Sequence, residues 1–393
     1  MKNQLFFLSI FFFLSTLSAL SQNSNFSITH GPYLQGLTEN EVSIVWTTNK
    51  NAVSWVELAP DDETHFYLTE RPRYFAESHG FKVVDSVHVV KLSNLSPNTT
   101  YRYRIYSQEV LSHVGTKVLY GAINASRVYQ QKPLKFTTND PAQRDISFLV
   151  INDIHGNNEL METLLKGTDW DKTDLVFFNG DMTNDIRSED QLFGDFLDKA
   201  VALFAKETPM YYARGNHETR GNFATTFPRY FPTPTNQLYY MMRQGPVCFV
   251  VLDCGEDKPD SDLEYSGIVS FDNYRTIQAE WLKNALRQEI FQEAPYRVVI
   301  VHMPPFGGWH GDKEVKEKFV PLLEEAGIDV MLCGHLHQHI IQKAGDGQKF
   351  PVIANGNKAI IKAYTENAIL KIDVVDTDGK IVDTLKISSR KLK

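Results

Sequence analysis

Between residues 26 and 139 apolar and polar positions alternate in short runs: EVSIVWTT, AVSWVEL, SVHVVKL, TTYRYRIYS and LKFTTN. In TYRYRIY, Tyr101, Tyr103 and Ile105 fall on one face and Arg102 and Arg104 on the other, the two-residue period of a strand with one face turned to a core. Turn-forming clusters such as LSPNT separate the runs, and no helical period is found between 26 and 139. The pattern predicts an all-β sandwich of immunoglobulin-like size, with Trp46, Trp55 and the tyrosine row in its core.

The rhythm changes after a polar joint, NDPAQRD (139–145). Apolar runs now alternate with longer amphipathic segments: ISFLVIN then ELMETLLKG, DLVFFNG then QLFGDFLDKAVALFAKE. PVCFVVLD is followed by TIQAEWLKNALRQEIF, where Trp281 and Leu282 face inward; then come YRVVIVH, EVKEKFVPLLEEAG and DVMLCG. This alternation predicts an α/β domain on largely buried strands. The closing stretches FPVIANG, NAILKIDVVD and KIVDTLKIS return to a strand period and are expected to close a second sheet. No internal repeat occurs.

A chain of 393 residues has room for two such units. Its 40 basic and 48 acidic residues give a net charge of -8, which argues against a surface that tracks a nucleic acid polymer. Residues 1–21 pair one lysine with LFFLSIFFFLSTLSAL and small residues at the cleavage spacing, the pattern of a signal peptide cut before Gln22. That implies a secreted or periplasmic protein, with an uncleaved anchor as the alternative. No later segment is long and apolar enough to cross a membrane. Cys248, Cys254 and Cys333 are too few for a disulfide framework and read as ordinary buried thiols.

Ligands in α/β sheets bind beyond the carboxyl ends of strands, and there the chain places its chemistry. Asp153 and His155 follow FLVIN, Asp181 follows LVFFNG, and Asn216, His217 and Glu218 follow MYYARG. His302 follows VVIV, and His335 and His337 follow DVMLCG. Of twelve histidines, seven lie after residue 140 and five of those directly follow a buried run. Carboxylates, imidazoles and an amide, with no thiolate, suit zinc, manganese or iron.

DIHG, NGD, RGNHE, VIVH and CGHLH, in this order across about residues 146–357, resemble the five blocks of the calcineurin-like metallophosphoesterase superfamily. HGPYLQGLTENEVSIVWTT and LSPNTTYRYRIYS are similar to the fibronectin type III-like domain that precedes the catalytic domain in purple acid phosphatases. The resemblance implies a fibronectin type III-like β-sandwich over 25–139. It also implies an α/β four-layer catalytic domain over 145–393, two packed β-sheets flanked by helices.

By that resemblance Asp153, His155, Asp181 and His337 would hold one metal ion. Asp181 as a bridge, Asn216, His302 and His335 would hold a second. The two divalent or trivalent ions (Fe, Zn or Mn) would sit about 4 Å apart and generate a bridging hydroxide for in-line attack on phosphorus. Asp181 and His217 would be catalytic, His217 steadying the phosphoryl group or protonating the leaving group, and Asn216, His217 and His310 would touch substrate. His310 in PPFGGWHGD is read as a loop residue and His339 as a surface or supporting group. Arg214 is expected either to contact phosphate or, the favoured reading, to pair with an acid such as Glu218, and Glu218 is expected to orient an imidazole or the loop.

One departure stands out. Purple acid phosphatases carry a tyrosine three residues after the second-block Asp, whose phenolate binds ferric iron; here GDMTND puts Asn184 there, and His155 adds an imidazole to the first block. The resemblance thus implies a hydrolase of small phosphate esters, acid-phosphatase-like, without the coloured phenolate centre. A phosphodiesterase, including one for cyclic nucleotides, is the alternative within enzymes. A surface binding protein with a vestigial metal site is the alternative from another class. Substrate choice would rest with loops 219–244 and 304–312.

Overall fold

Two long strands, Val42–Pro60 and Thr100–Val114, form the spine of the N-terminal region. The structure is a computed structural model that describes residues 25–126 and 130–390; the signal peptide expected over 1–21 lies outside the described residues. Val42–Pro60 pairs with Val84–Leu92 along its first half and with Thr100–Val114 along its second. One strand therefore serves two layers, its register shifting between Thr47 and Ala52. Leu34, Ile44, Trp46, Val56, Tyr103, Ile105 and Phe136 fill the space between the layers. Trp46 donates from Nε1 to Ser107 Oγ at 2.9 Å, satisfying its one polar atom in a core position. No helix occurs between 26 and 139 among the described residues.

The opposite face of TYRYRIY departs from the expected polar exposure. Arg102 and Arg104 are buried as well, because the segment after Pro60 folds over them. Arg102 donates to Pro60 O at 2.7 Å and Thr64 O at 2.6 Å, and Arg104 lies 5.3 Å from the Phe66 ring centre. A guanidinium tolerates this when carbonyls take its N–H groups and rings take its face.

The rest of the chain builds two six-stranded sheets. In the first, Met210–Ala213, Leu175–Asn179 and Ser147–Ile151 run parallel, followed by Ala359–Glu366, Ile369–Asp376 and Ile381–Ser388. In the second, Val247–Val251, Tyr296–Ile300, Val330–Cys333 and Val352–Ala354 are parallel, with Tyr240–Gln244 and Ile340–Gln342 antiparallel at the edges. Only Val352–Ala354 of the three closing stretches joins the second sheet; the last three strands extend the first, against expectation. Ala359–Glu366 suits an interior place there: Ile361 and Ala363 face the core between the sheets, and Ile360 faces the helices outside.

Phe148, Val150, Phe177, Phe249, Val298, Ile300 and Leu332 pack between the sheets. Outside the first sheet lie Asn158–Leu165 and a continuous helical run from Glu189 to Ala205 with two wide π turns, Phe193–Leu197 and Val201–Ala205. Outside the second lie Phe271–Ala285, His310–Lys318 and Val320–Ala326. Leu282 is fully buried there, with Trp281 partly buried beside it. The four-layer arrangement brings the carboxyl ends of the parallel strands of both sheets to one edge.

The sandwich docks on the helical layer of the first sheet. Tyr33, Val45 and Val87 join the same apolar cluster as Phe193, Phe196 and Tyr230. Tyr33 Oη donates to Tyr230 O at 2.8 Å, Tyr103 Oη to Lys206 O at 2.7 Å, and Tyr211 Oη to Leu37 O at 3.1 Å. The three cysteines are buried and free. No helix among the described residues is long and apolar enough to cross a membrane.

Candidate metal centre

Each proposed ligand sits where a strand stops and the backbone turns back. Asp153, His155, Asp181, His335 and His337 all have positive φ, between 49° and 73°. That left-handed region costs a residue other than glycine about 1 kcal/mol or more, and such strain collects where side-chain direction matters. The turns are laced together: Asp153 N–H donates to Gly180 O at 3.0 Å, His155 N–H to Asp181 O at 3.0 Å, and Gly156 N–H to Met182 O at 2.9 Å. Gly180 and Gly215 are needed for close approach, since a Cβ on the first would collide with the His302 ring and on the second with the Asp181 carboxylate.

The side chains converge in overlapping groups whose donor atoms lie within 4.8 Å of one another: Asp153, His155 and His337; His155, Asp181 and His217; Asp181, His302 and His335. His337 Nε2 is 3.2 Å from Asp153 Oδ1 and 3.1 Å from His155 Nε2. His302 Nε2 is 3.0 Å from Asp181 Oδ2 and 3.9 Å from Asp153 Oδ1. Six of the seven expected ligands are in these groups. Asn216, the seventh, directly precedes His217, whose backbone N–H donates to Asp181 Oδ1 at 3.0 Å.

The donor set fits cations. Asp153 Oδ1, Asn216 Oδ1 and His302 Nε2 are buried without a hydrogen-bond partner, although a buried orphan of this kind costs about 1–3 kcal/mol. Cations held among these residues would satisfy them. The other atoms of the same residues are fixed from behind: His302 Nδ1–H donates to Asn179 O at 2.7 Å, His335 N–H to Asp153 Oδ2 at 2.9 Å, and Asn152 Nδ2 to Asp153 Oδ2 at 2.6 Å. Such support aims a ligand and sets its tautomer.

The electrostatics also favour positive charge. Burial works against the His302 imidazolium, but Asp181 and Asp153 outweigh it and raise its pKa to about 10. Burial would raise Asp181, yet His302 and His217 hold its carboxyl well below the ordinary value. His335 is pushed down to about 4 by burial and then by His302. His155 is lowered chiefly by burial. His337 is raised, first by its hydrogen bond to Asp153.

Asn184, three residues after Asp181, grips both histidines of the cleft. Its Oδ1 lies 3.1 Å from His155 Nδ1, its Nδ2 donates to His155 O at 3.3 Å, and its carbonyl accepts from His217 Nδ1–H at 2.8 Å. His217 Nε2 is thereby turned toward Asp181 Oδ2, 3.9 Å away.

One expectation changes and two resolve. His310 is the first residue of the helix His310–Lys318 rather than a loop residue. It stands in a different group, its Nε2 2.7 Å from Asp272 Oδ1 beside Glu314, and Arg275 and Lys318 already pair with those acids. Arg214 pairs with Asp253, at 2.8 and 3.2 Å, not with Glu218. Glu218 accepts backbone N–H groups of Asp181, Met182, Thr183 and Gly215, and so orients the loops, one of its two expected roles. His339 lies away from the cleft, 3.4 Å from Asp383.

Two neighbours of the centre escape sequence reasoning. Asp312 is buried, its carboxyl raised to about 6 by burial. Its Oδ1 lies 3.9 Å from His335 Nε2, both atoms without a hydrogen-bond partner. Arg220 reaches His217 from the adjacent loop. Neither belongs to a strand-end block, and only their basic or acidic type beside one hints at them.

The calcineurin-like phosphoesterase family matches residues 146–339, and the N-terminal domain of purple acid phosphatases matches residues 32–130. Purple acid phosphatase 18 of Arabidopsis thaliana is 22% identical over 323 residues, covering 77% of this chain and 63% of its own. The probable purple acid phosphatase 20 of the same plant is 22% identical over 319 residues, covering 74% and 66%. Purple acid phosphatase 1 of Ipomoea batatas is 22% identical over 348 residues, covering 79% and 63%. The chain thus spans just under two thirds of the length of these relatives. In structure, the purple acid phosphatase PPD1 from yellow lupin (Lupinus luteus) seeds shares the fold at a TM-score of 0.65 and 16% identity, over 91% of this chain and 74% of that one. With both regions matched in order and the strand-end residues gathered at one edge, the chain carries a calcineurin-like phosphoesterase domain and, ahead of it, the domain that stands N-terminal in the purple acid phosphatases.

Proposed function

We propose that the protein is a binuclear-metal phosphohydrolase of small phosphate esters, acid-phosphatase-like in preferring monoesters, and that it works outside the cytoplasm as a secreted or periplasmic enzyme. The observation that carries this reading is the overlap of three ligand groups through Asp181 and His155. In this reading the sandwich spans 25–139 and the catalytic domain 145–393.

Asp153, His155, Asp181 and His337 would hold one ion of iron, zinc or manganese, and Asp181, Asn216, His302 and His335 the other. Bound there, the pair supplies Lewis-acid activation of water and offsets the charge of the phosphoryl oxygens. The chain does the rest. Glu218 and the laced turns hold the ligands in register. Asn184 fixes the His217 ring through Nδ1, leaving Nε2 to contact the phosphoryl group and pass a proton to the leaving oxygen. His310, expected to touch substrate, is engaged by Asp272.

The test is hydrolysis of a generic monoester and a matching diester, with manganese, zinc and iron supplied in turn. Asp181→Asn and His217→Ala are each expected to lower kcat by about 100-fold or more. Unchanged turnover in both variants defeats the mechanism, and a diester rate above the monoester rate shifts the reading to a phosphodiesterase.

A further inference from the structure

Arg220 follows the short helical turn His217–Thr219, and its guanidinium is clamped on one side. Nε donates to Glu256 Oε1 at 2.9 Å, and Nη2 to Glu256 Oε2 at 3.2 Å and Asp257 Oδ1 at 3.4 Å. Glu256 is fixed in turn. It accepts from Thr219 Oγ1 at 2.6 Å, Tyr265 Oη at 2.5 Å and the Asp257 N–H at 3.2 Å, and it is 1% exposed. Arg275 holds the Glu256 carbonyl at 3.0 Å, and Gly311 N–H holds that of Asp257 at 2.9 Å. The arginine cannot swing away without breaking a buried network.

Its Nη1 points the other way, 3.5 Å from His217 Nε2. With Nδ1–H committed to Asn184 O, a neutral His217 offers its Nε2 lone pair to Arg220. Nη1 is thus a donor held at the edge of the cleft, where an anionic oxygen entering beside His217 would accept from it. That spot borders the metal centre, since His217 Nε2 is 3.9 Å from Asp181 Oδ2. Glu256, Asp257 and Glu264 outnumber Arg220 and Lys258 in this loop. Arg220 therefore acts as an aimed donor and not as part of a diffuse positive field.

We propose that Arg220 is a specificity-determining residue: its Nη1, held beside His217, binds a terminal oxygen of a phosphoryl group and so selects phosphomonoesters over phosphodiesters. This rests on the phosphohydrolase reading above. A monoester presents its terminal oxygens unblocked. In a diester one of them carries a second substituent, which weakens it as an acceptor and adds bulk against the Glu256–Asp257 loop.

The experiment titrates inorganic phosphate into metal-loaded protein by calorimetry, for the wild type, Arg220→Met and the double variant Arg220→Met/Glu256→Gln. The double variant removes both ends of the ion pair, so that no buried carboxylate is left unpaired. Thermal melting and metal content establish that each variant is folded and loaded; if the single variant fails to fold, the double variant decides. Phosphate affinity is expected to fall about tenfold, and the monoester-to-diester ratio of kcat/KM by a similar factor, all of it from the monoester. Phosphate affinity within about threefold of wild type, or equal losses on both esters, overturns the proposal. A wild type that hydrolyses neither ester defeats the phosphohydrolase reading instead, and the phosphate titration still decides the role of Arg220.

Discussion

Glu218 is a carboxylate that serves the site without touching its cleft. It is fully buried. Its Oε2 accepts the N–H groups of Asp181 at 3.0 Å and Gly215 at 2.9 Å, and its Oε1 those of Met182 at 2.7 Å and Thr183 at 3.3 Å. One side chain therefore ties the turn carrying Asp181 to the turn carrying Asn216. Glu218→Gln keeps the shape but puts an NH2 group against two N–H donors. Leaving two buried donors unpaired costs about 2–6 kcal/mol at about 1–3 kcal/mol each. An opposing effect exists: burial and then Asp181 raise the Glu218 carboxyl above its ordinary value, so removing the charge relieves some repulsion. Four converging N–H dipoles outweigh that relief, and the net loss is expected at or above about 2 kcal/mol, which for a chain of this length lowers the melting point by about 2–3 °C or more. Urea unfolding reads the first quantity and thermal melting the second. A competition between the protein and a chelator for zinc reads the consequence, a loss of about 10–100-fold in affinity. Stability within about 0.5 kcal/mol of wild type, the range of an ordinary surface substitution, with unchanged zinc affinity, would refute the reasoning.

Other perturbations have equally definite outcomes. Burial pushes His88 from 6.5 down to about 4, so its contribution is intact above pH 6.5 and is lost as pH falls toward 4, about 3 kcal/mol in all. Melting of the wild type between pH 7.5 and 4.5 should show that loss. His88→Phe should flatten it, because Thr48 keeps its bond to Lys50 O; an unchanged slope contradicts this. Asp312→Asn is expected to weaken metal binding about tenfold by loosening His335, measured by the same chelator competition, while Trp309 N–H keeps its acceptor. With Asn184 in place of a phenol, iron-loaded protein should lack a strong visible band, and Asn184→Tyr is the variant in which to look for one.

Much of this was legible in the sequence because metal ligands and strand ends are both local features. The run FLVIN followed by Asp153 and His155, and the four similar runs after it, announce a buried strand and what it carries in about ten residues each. What stayed hidden depends on contacts between distant positions. Alternation showed that NAILKIDVVD is a strand but not that its Ile372 sits opposite Ala363, since a pattern of faces does not name a neighbour. Arg102 and Arg104 read as solvent-facing because nothing local reveals that the chain after Pro60 returns over them. Glu218 acts on an N–H 37 positions away and Arg220 on a carboxylate 36 positions away, separations at which side-chain type alone carries no signal. His310 looked like a loop residue because the glycines before it mask where the helix begins.

The most direct test is a metal titration of chelator-stripped protein, following hydrolysis of a generic phosphomonoester. Turnover should be absent without metal and should rise to a plateau at two ions per chain, as expected when Asp181 is shared between two ligand groups. Full activity in the stripped protein, or folded protein that stays inactive with two equivalents of zinc, manganese or iron, would contradict it.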